Sequence, residues 1–257
     1  MNALFQGATE FNHSINSWDV SLVIDMNYMF DGATVFNQPL NNWAVSSVLT
    51  MSYMFQYAAA FNQSLNNWTV SKVQLTNSMF KNAVAFNQPL NNWNVSAVQY
   101  TNSMFFGATV FNQPLNNWDV SKTLLMGSMF RGAVAFNQPL NNWTVSKVTN
   151  MNSMFQEATV FNQPLNNWTV STVTNMNNMF SGAAVFDNDI TNWDCSKVTS
   201  ETNVFLNASA WLQAFDLKAG ETILRPNGKP SRWTRKTTTT SATTTTMEPT
   251  VTTMGAL

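Results

Sequence analysis

The side chains best suited to chemistry in this chain are few and lie far apart. His13 is the only histidine and Cys195 the only cysteine among 257 residues. A hydrolytic triad needs a nucleophile, a histidine and an orienting carboxylate together, and no such partners accompany His13 in the sequence. One cysteine permits neither an intrachain disulfide nor a zinc site built on several thiolates. We expect no catalytic residues, and interpret His13 as a surface residue and Cys195 as a small buried hydrophobe.

Three aspartates near residue 190 are the other candidates for chemistry. Asp187, Asp189 and Asp194 suggest a calcium site, but calcium takes six to eight oxygen ligands and a D-x-D pair is common. The sequence has no phosphate-binding loop, dinucleotide fingerprint or zinc motif. We therefore expect neither a metal nor a cofactor.

The charge and hydropathy of the chain limit the classes of partner that it can bind. Twelve Lys and Arg oppose 13 Asp and Glu, so the net charge is −1 at pH 7. Sparse basic residues argue against a nucleic-acid partner. The sequence contains no run of 18 apolar residues, so we expect no direct membrane insertion. An unknown protein or glycan is the expected ligand.

Most of the chain is a tandem repeat, so the repeat must position any residues that contact a ligand. A tryptophan recurs every 25 residues from Trp18 to Trp193, without insertion or deletion. The unit around it reads approximately F-N-Q-P-L-N-N-W-x-V-S-x-V-T-x-M-x-x-M-F-x-G-A-x-x. One unit cannot bury its own apolar face, whereas units stacked in register share a continuous core. The spacing predicts a solenoid of about eight turns with the Trp column buried.

Each unit contains a helical pattern and an extended pattern. Apolar residues at i, i+3, i+4 and i+7 predict a short helix over Met26–Ala33. Leu40–Val45 is the best candidate for a strand. The Asn-Asn pairs, such as Asn41-Asn42, are predicted to lie inside the corners, where amides satisfy backbone groups. Glycosylation sequons at Asn67, Asn142 and Asn167 share those columns, so glycans there would oppose folding.

The repeat resembles a known family. The strings F-N-Q-P-L-N-N-W-D-V-S-K at 111–122 and V-T-N-M-N-S-M-F at 148–155 are similar to the BspA-type leucine-rich-repeat surface proteins. This resemblance covers about residues 1–205. It implies an α/β, leucine-rich-repeat-like solenoid, which we expect to be right-handed, with a short parallel strand and a short helix per turn. It also implies an adhesion role at the cell surface, and it brings no catalytic residues.

Composition divides the chain into three segments. Residues 1–205 form the predicted tandem-repeat solenoid, which starts in mid-repeat because Met1 shares the phase of Met26. Residues 206–236 break the repeat and supply a predicted C-terminal cap with a basic segment. Its covering residues are Trp211, Leu212, Phe215, Leu217 and Ile223. Residues 237–257 contain eleven threonines and no aromatic residue, which predicts a disordered tail, either O-glycosylated or unmodified.

These features favour a non-catalytic recognition or adhesion module that presents a rigid face to a protein or glycan. We expect it to be extracellular or on the cell surface, although no signal peptide occurs in this sequence. An intracellular scaffold for protein partners is the alternative. An ice-binding array is disfavoured because the aligned threonines are only Thr149, Thr174 and Thr199.

One column suggests where a partner binds. Leu75, Tyr100 and Leu125 align on consecutive turns, Leu124 adds to the same region, and exposed apolar patches mark interaction sites. Thr76 and Thr101 leave a second interpretation open. They replace core methionines, so a slip of one residue would turn the neighbouring Leu75 and Tyr100 inward and the threonines outward.

Overall fold

The repeats stack side by side in register. The computed structural model describes residues 1–222 and 227–237. Parallel bridges join each repeat to the next at the same position in every unit. The bridged residues are Asp25, Thr50, Leu75, Tyr100, Leu125, Asn150, Asn175 and Ser200. Each bridge therefore connects positions one 25-residue period apart, as the tryptophan spacing requires.

The most regular hydrogen bonds between repeats lie just after each bridge. The N–H of Met26 donates to the Thr50 carbonyl at 3.0 Å, and the N–H of Phe30 donates to the Met54 carbonyl at 2.8 Å. The N–H groups of residues 28 and 32 donate forward in the same way, and the intervening carbonyls accept from the preceding repeat. We call the surface formed by residues 25–32 and their equivalents in later repeats the ladder face.

The helix predicted over Met26–Ala33 is wrong, because this segment is a series of turns. Its short-range hydrogen bonds join i to i−3, as from the Ala33 N–H to the Phe30 carbonyl at 3.0 Å. Tyr28 and Gly32 have φ of 56° and 73°, a left-handed conformation that an α-helix cannot contain. The apolar side chains nevertheless point inward, because successive turns place them with the same spacing as a helix would.

The strand predicted over Leu40–Val45 is also misplaced. The Trp43 N–H donates to the Leu40 carbonyl at 3.2 Å, which makes a turn of this stretch, and the parallel bridges lie instead at the column of Asp25. The turn places the indole in the core, where Trp43 Nε1 donates to the Ile15 carbonyl of the preceding repeat at 3.0 Å.

The core is a set of stacked columns. The tryptophans from Trp43 to Trp193 are 2–4% exposed. Their rings stack from repeat to repeat with centroids 6.2–6.5 Å apart. Two phenylalanine columns stack beside them, as between Phe30 and Phe55 at 5.4 Å. Aromatic contacts of this kind add to the stabilisation from buried area.

Asparagines do form hydrogen bonds between repeats, but the column of Asn12 makes more of these bonds than the predicted column of Asn-Asn pairs. Asn12 Oδ1 accepts from the Asn37 N–H at 2.9 Å and from Gln38 Nε2 at 3.2 Å. In the Asn-Asn pairs the first residue accepts across a turn, as Asn66 Oδ1 does from the Asn92 N–H at 3.1 Å. The second residue, such as Asn42, is exposed because it lies in the turn before tryptophan.

The sequon asparagines are therefore not internal, and the expectation that glycans on them would oppose folding is wrong. Asn67, Asn142 and Asn167 each occupy the second position of an Asn-Asn pair, and all three are exposed.

The segment after the repeats covers their last turn. Helix α1 spans Ser209–Ala214, strand β1 spans Phe215–Leu217, a 3-10 helix spans Pro230–Arg232 and strand β2 spans Trp233–Arg235. The two strands pair antiparallel. Residue Ile223 and residues 238–257, with the predicted Thr-rich tail, lie outside the described residues.

Aromatic side chains of this segment continue the core columns. Trp211 stacks on Phe205 with centroids 4.1 Å apart, and Phe215 stacks on Trp211 at 3.9 Å. Trp233 meets Phe205 edge-on at 5.5 Å. Arg232 forms an ion pair with Glu201, which joins the segment to the last repeat, and a second one with Glu221 inside the segment.

Candidate interaction surface

Two outward columns of the ladder face change from turn to turn, whereas the inward columns hardly change. The column of Asp25 holds Asp, Thr, Leu, Tyr, Leu, Asn, Asn and Ser in successive repeats. The column of Asp31 holds Asp, Gln, Lys, Phe, Arg, Gln, Ser and Leu. The buried positions between them remain mostly Met and Phe. The repeats thus keep one scaffold while varying the chemistry of its surface.

The sequence-predicted contact residues lie in this surface. Leu75, Tyr100 and Leu125 occupy consecutive bridge positions and are half-buried. Leu124 belongs to the neighbouring column, where it is also half-buried and its N–H donates to the Gln99 carbonyl at 2.8 Å. The structure therefore brings all four residues together on three adjacent turns.

The alternative of a one-residue slip is wrong. Thr76 and Thr101 are each 2% exposed and occupy the core position that methionine holds elsewhere. Their Oγ1 atoms donate to the carbonyls of Tyr100 and Leu125, each at 3.3 Å. Since the buried hydroxyls find acceptors without any shift of the chain, Leu75 and Tyr100 keep their outward register.

The two threonines leave a small void inside the stack. Threonine is shorter than the methionine it replaces, and a cavity of about 10 Å³ lies among Thr76, Val98, Thr101, Trp118 and Thr123. A volume of this size holds no more than one water molecule. The core therefore offers no room for a ligand at this point.

Sequence reasoning missed a second set of residues on the same turns. Lys81, Phe106 and Arg131 occupy one outward column, six positions after Leu75, Tyr100 and Leu125. Lys81 Nζ lies 5.3 Å from the centre of the Phe106 ring, and Arg131 Cζ lies 5.1 Å from it. Their shared phase was visible in the repeat, but their mutual contact depends on the stacking distance.

We call these six residues together the central patch: Leu75, Tyr100 and Leu125 on one side, and Lys81, Phe106 and Arg131 on the other. Within residues 1–222 and 227–237, neither cation of the patch pairs with a carboxylate. Cation–π contacts hold both cations in place while their charge remains available to a partner.

The residues singled out for chemistry have structural roles or are isolated. His13 is exposed. Cys195 is 2% exposed, and burial raises the pKa of its thiol, which opposes thiolate reactivity. Asp187 Oδ1 accepts from Asn162 Nδ2 at 3.1 Å.

The other two aspartates serve local turns. Asp189 Oδ1 accepts from the Thr191 N–H at 3.0 Å. Asp194 Oδ1 accepts from the Ser196 N–H at 3.0 Å, and the hydrogen bonds from Ser196 lower the pKa of the Asp194 carboxyl. Over residues 1–222 and 227–237, no three His, Cys, Asp or Glu side chains come together as a set of metal ligands.

The repeat region matches a known family over most of its length. The family is described as a Mycoplasma protein of unknown function, DUF285, and the matched segments are 1–88, 42–126, 66–158 and 116–217. The chain belongs to this family. No curated protein matches the chain. In the part of the chain that the structure describes, no helix has both the length and the apolar character needed to cross a membrane.

Proposed function

We propose that this member of the DUF285 family is a non-catalytic recognition or adhesion module, in which a solenoid of 25-residue turns presents its ladder face to a protein or glycan ligand. The observation that carries the proposal is the contrast within each turn. Buried columns repeat the same residues, while the outward columns of Asp25 and Asp31 differ at nearly every turn. Repeat proteins that bind partners combine a constant core with a variable outer surface of this kind.

We also propose that the protein is extracellular or attached to the cell surface. The matched family is a repeat family, and the resemblance of the unit to BspA-type repeats favours an extracellular or cell-surface adhesin. An intracellular scaffold would use the same face. The genomic sequence upstream of Met1 distinguishes the two, because a signal peptide favours the surface protein and further repeats without a signal favour the scaffold.

Binding to protein and glycan arrays tests the recognition function. The probe is the purified chain, compared with a variant that carries Leu75→Thr, Tyr100→Thr and Leu125→Asn. These replacements place the residue types of flanking turns on the three central turns, so the stack should remain intact. We expect the variant to lose binding by about tenfold or more, since truncation of a single hot-spot residue costs about 2 kcal/mol or more.

A matched control changes exposed apolar residues outside the ladder face. Val84, Val110 and Val134 are 40–44% exposed, and a triple change to Thr should leave binding unchanged. An equal loss in both variants, or no ligand on either array, would contradict the proposed function.

A further inference from the structure

Charge is segregated along the stack in a way that the net value conceals. Residues 1–50 contain four acidic and no basic residues, a net charge of −4. Residues 51–150 contain five basic residues and one acidic residue, a net charge of +4. Residues 151–205 contain five acidic residues and one lysine, again −4. The basic middle segment includes the central patch, so an acidic partner is attracted there and repelled from both ends.

Both cations of the patch lie over aromatic rings, which favours particular positions of their side chains. Phe106 lies between them, with Lys81 on the preceding turn and Arg131 on the following one. Lys81 Nζ also lies 5.8 Å from the centre of the Tyr57 ring. Arg131 Nε is buried without a hydrogen-bond partner among the described residues. Positions fixed in advance reduce the entropy that the side chains lose when a carboxylate binds.

The opposite side of the patch is apolar, and the residues between the two sides, which form the floor of the patch, have small side chains. Leu75, Tyr100 and Leu125 form the apolar side, and Ser103 and Ser128 contribute to the floor. The backbone of the floor is already used, as by the bond of 2.9 Å from the Ser103 N–H to the Gly127 carbonyl. A partner must therefore bind through side chains, because the floor offers no free strand edge.

We propose that the central patch is the docking site for an acidic protein segment that also carries apolar side chains. Carboxylates of the segment pair with Lys81 and Arg131, and its apolar groups cover Leu75, Tyr100 and Leu125. This inference rests on the proposed function, since it names the class of ligand for the ladder face.

An acidic polysaccharide fits less well than a protein segment. Sugars stack on open aromatic faces, whereas Lys81 and Arg131 already lie 5.3 Å and 5.1 Å from the centre of the Phe106 ring. The aliphatic side chains of Leu75 and Leu125 suit apolar side chains of a polypeptide better than the hydroxyls of a sugar.

Fluorescence anisotropy with three labelled synthetic peptides tests the assignment. The first alternates Glu, Leu and Ser, the second replaces each Glu by Gln, and the third replaces each Leu by Ser. We expect the first to bind most tightly and to weaken as salt is raised, because its ion pairs are screened. Binding that is equal for all three peptides, or undetectable for the first at millimolar concentration, would overturn the proposal.

Two charge-matched variants locate the site. Lys81→Gln with Arg131→Gln should weaken the Glu-Leu-Ser peptide by about tenfold or more. Lys147→Gln with Lys197→Gln removes the same charge from exposed positions outside the three patch turns and should change binding less than twofold. Circular dichroism checks that both variants remain folded. Equal losses would show a diffuse charge effect and would refute the site.

Other occupants give different results. Alginate or dextran sulfate that binds the patch more tightly than the peptide would replace the proposed segment with a polysaccharide. Sedimentation of the chain alone would reveal a second copy on the patch as a dimer that the Lys81 and Arg131 changes abolish, which also overturns the proposal. If array ligands bind normally to the Lys81 and Arg131 variant, the patch assignment fails while the recognition function stands.

Discussion

The first and last repeats carry the same aromatic columns but bury them to different extents. Trp18 is 40% exposed, whereas Trp193 is 2% exposed. Phe5 and Phe11 are only partly buried, while Trp211 and Phe215, at the other end, are fully covered. The aromatic columns do not bury themselves, since each turn needs a covering layer on both sides.

The two ends also differ in the hydrogen bonds that their backbone groups form. At the C-terminal end, Asn227 Oδ1 accepts from the Asn203 N–H at 2.7 Å. The Gly228 N–H donates to the Glu201 carbonyl at 3.2 Å. Asn227 Oδ1 takes the place of the carbonyl that a further repeat would offer, whereas the Gly228 bond has no counterpart between repeats. A segment can therefore end the stack by supplying stacked rings and a hydrogen-bond acceptor in place of the next repeat, without repeating its sequence.

The largest expected effect separates an interior tryptophan from the edge tryptophan. Trp93→Ala should lower the free energy of unfolding by about 3–5 kcal/mol, because it opens a cavity between two stacked neighbours. Trp18→Ala should cost less than half as much, since part of that ring is already in water. Urea unfolding measures both losses, and equal losses would show that the edge tryptophan stabilises the fold as much as an interior one.

Thiol labelling compares how often the two ends open. Cys195 and Val20 share one repeat column and are 2% and 1% exposed. In a Cys195→Val background, a Val20→Cys thiol should react with a thiol reagent under native conditions about tenfold faster than Cys195 does in the parent chain. The reason is that local opening is easier where few buried contacts hold a segment.

Removal of the cover should make the ends alike. Trp211→Ala takes away the ring stacked between Phe205 and Phe215, so Cys195 should then react at a rate close to that of the Val20→Cys thiol. Cys195 labelling that stays slow in the Trp211→Ala variant would mean that the C-terminal segment does not protect the last turn.

A substitution in a middle repeat should not alter the difference in thiol-labelling rate between the two ends. Thr101→Met fills the small cavity with the residue that other repeats carry, and should raise the free energy of unfolding by about 1 kcal/mol. Thr101→Val is the control that removes the hydroxyl without filling the space. Thermal unfolding measures the gain, and an altered ratio of labelling rates at the two ends would contradict the independence of the middle turns.

The smallest expected effect is a pH dependence that arises at the covered end. The pKa of Cys195 is raised by burial in the folded chain, so its stabilising contribution is complete below the unfolded pKa of about 8.5 and is lost as pH rises through the folded value. The loss between pH 7 and 9 should stay below about 1 kcal/mol. The stability difference between the parent and Cys195→Val, measured by urea titration, should therefore change between pH 7 and 9, and a constant difference would contradict it.

The sequence predicted which side chains are buried much better than it predicted backbone conformation. Constant spacing placed Trp93 and Phe105 in the core, and both are buried. The helix failed because successive turns reproduce its apolar spacing, and because left-handed positions such as Tyr28 and Tyr53 hold residues that give no turn signal.

The candidate surface was predictable only in part, for a related reason. The apolar column of Leu75, Tyr100 and Leu125 could be found from phase alone. The contact of Lys81 with Phe106 required the distance between adjacent turns, which no single repeat contains. The sequence showed that asparagine would serve the backbone, but the choice between Asn12 and the Asn-Asn pairs depended on where the chain turns.

The forward hydrogen bonds of the ladder face have a mechanical consequence. Each turn is held to the next by its own row of bonds, such as those from Met26 and Phe30, and rows of equal length can break one after another. A force applied between the two ends of the chain should therefore peel the stack stepwise rather than rupture it at once. Each step would release one 25-residue turn, or about 80–90 Å of extended chain, so the stack would act as an extensible tether with equal increments.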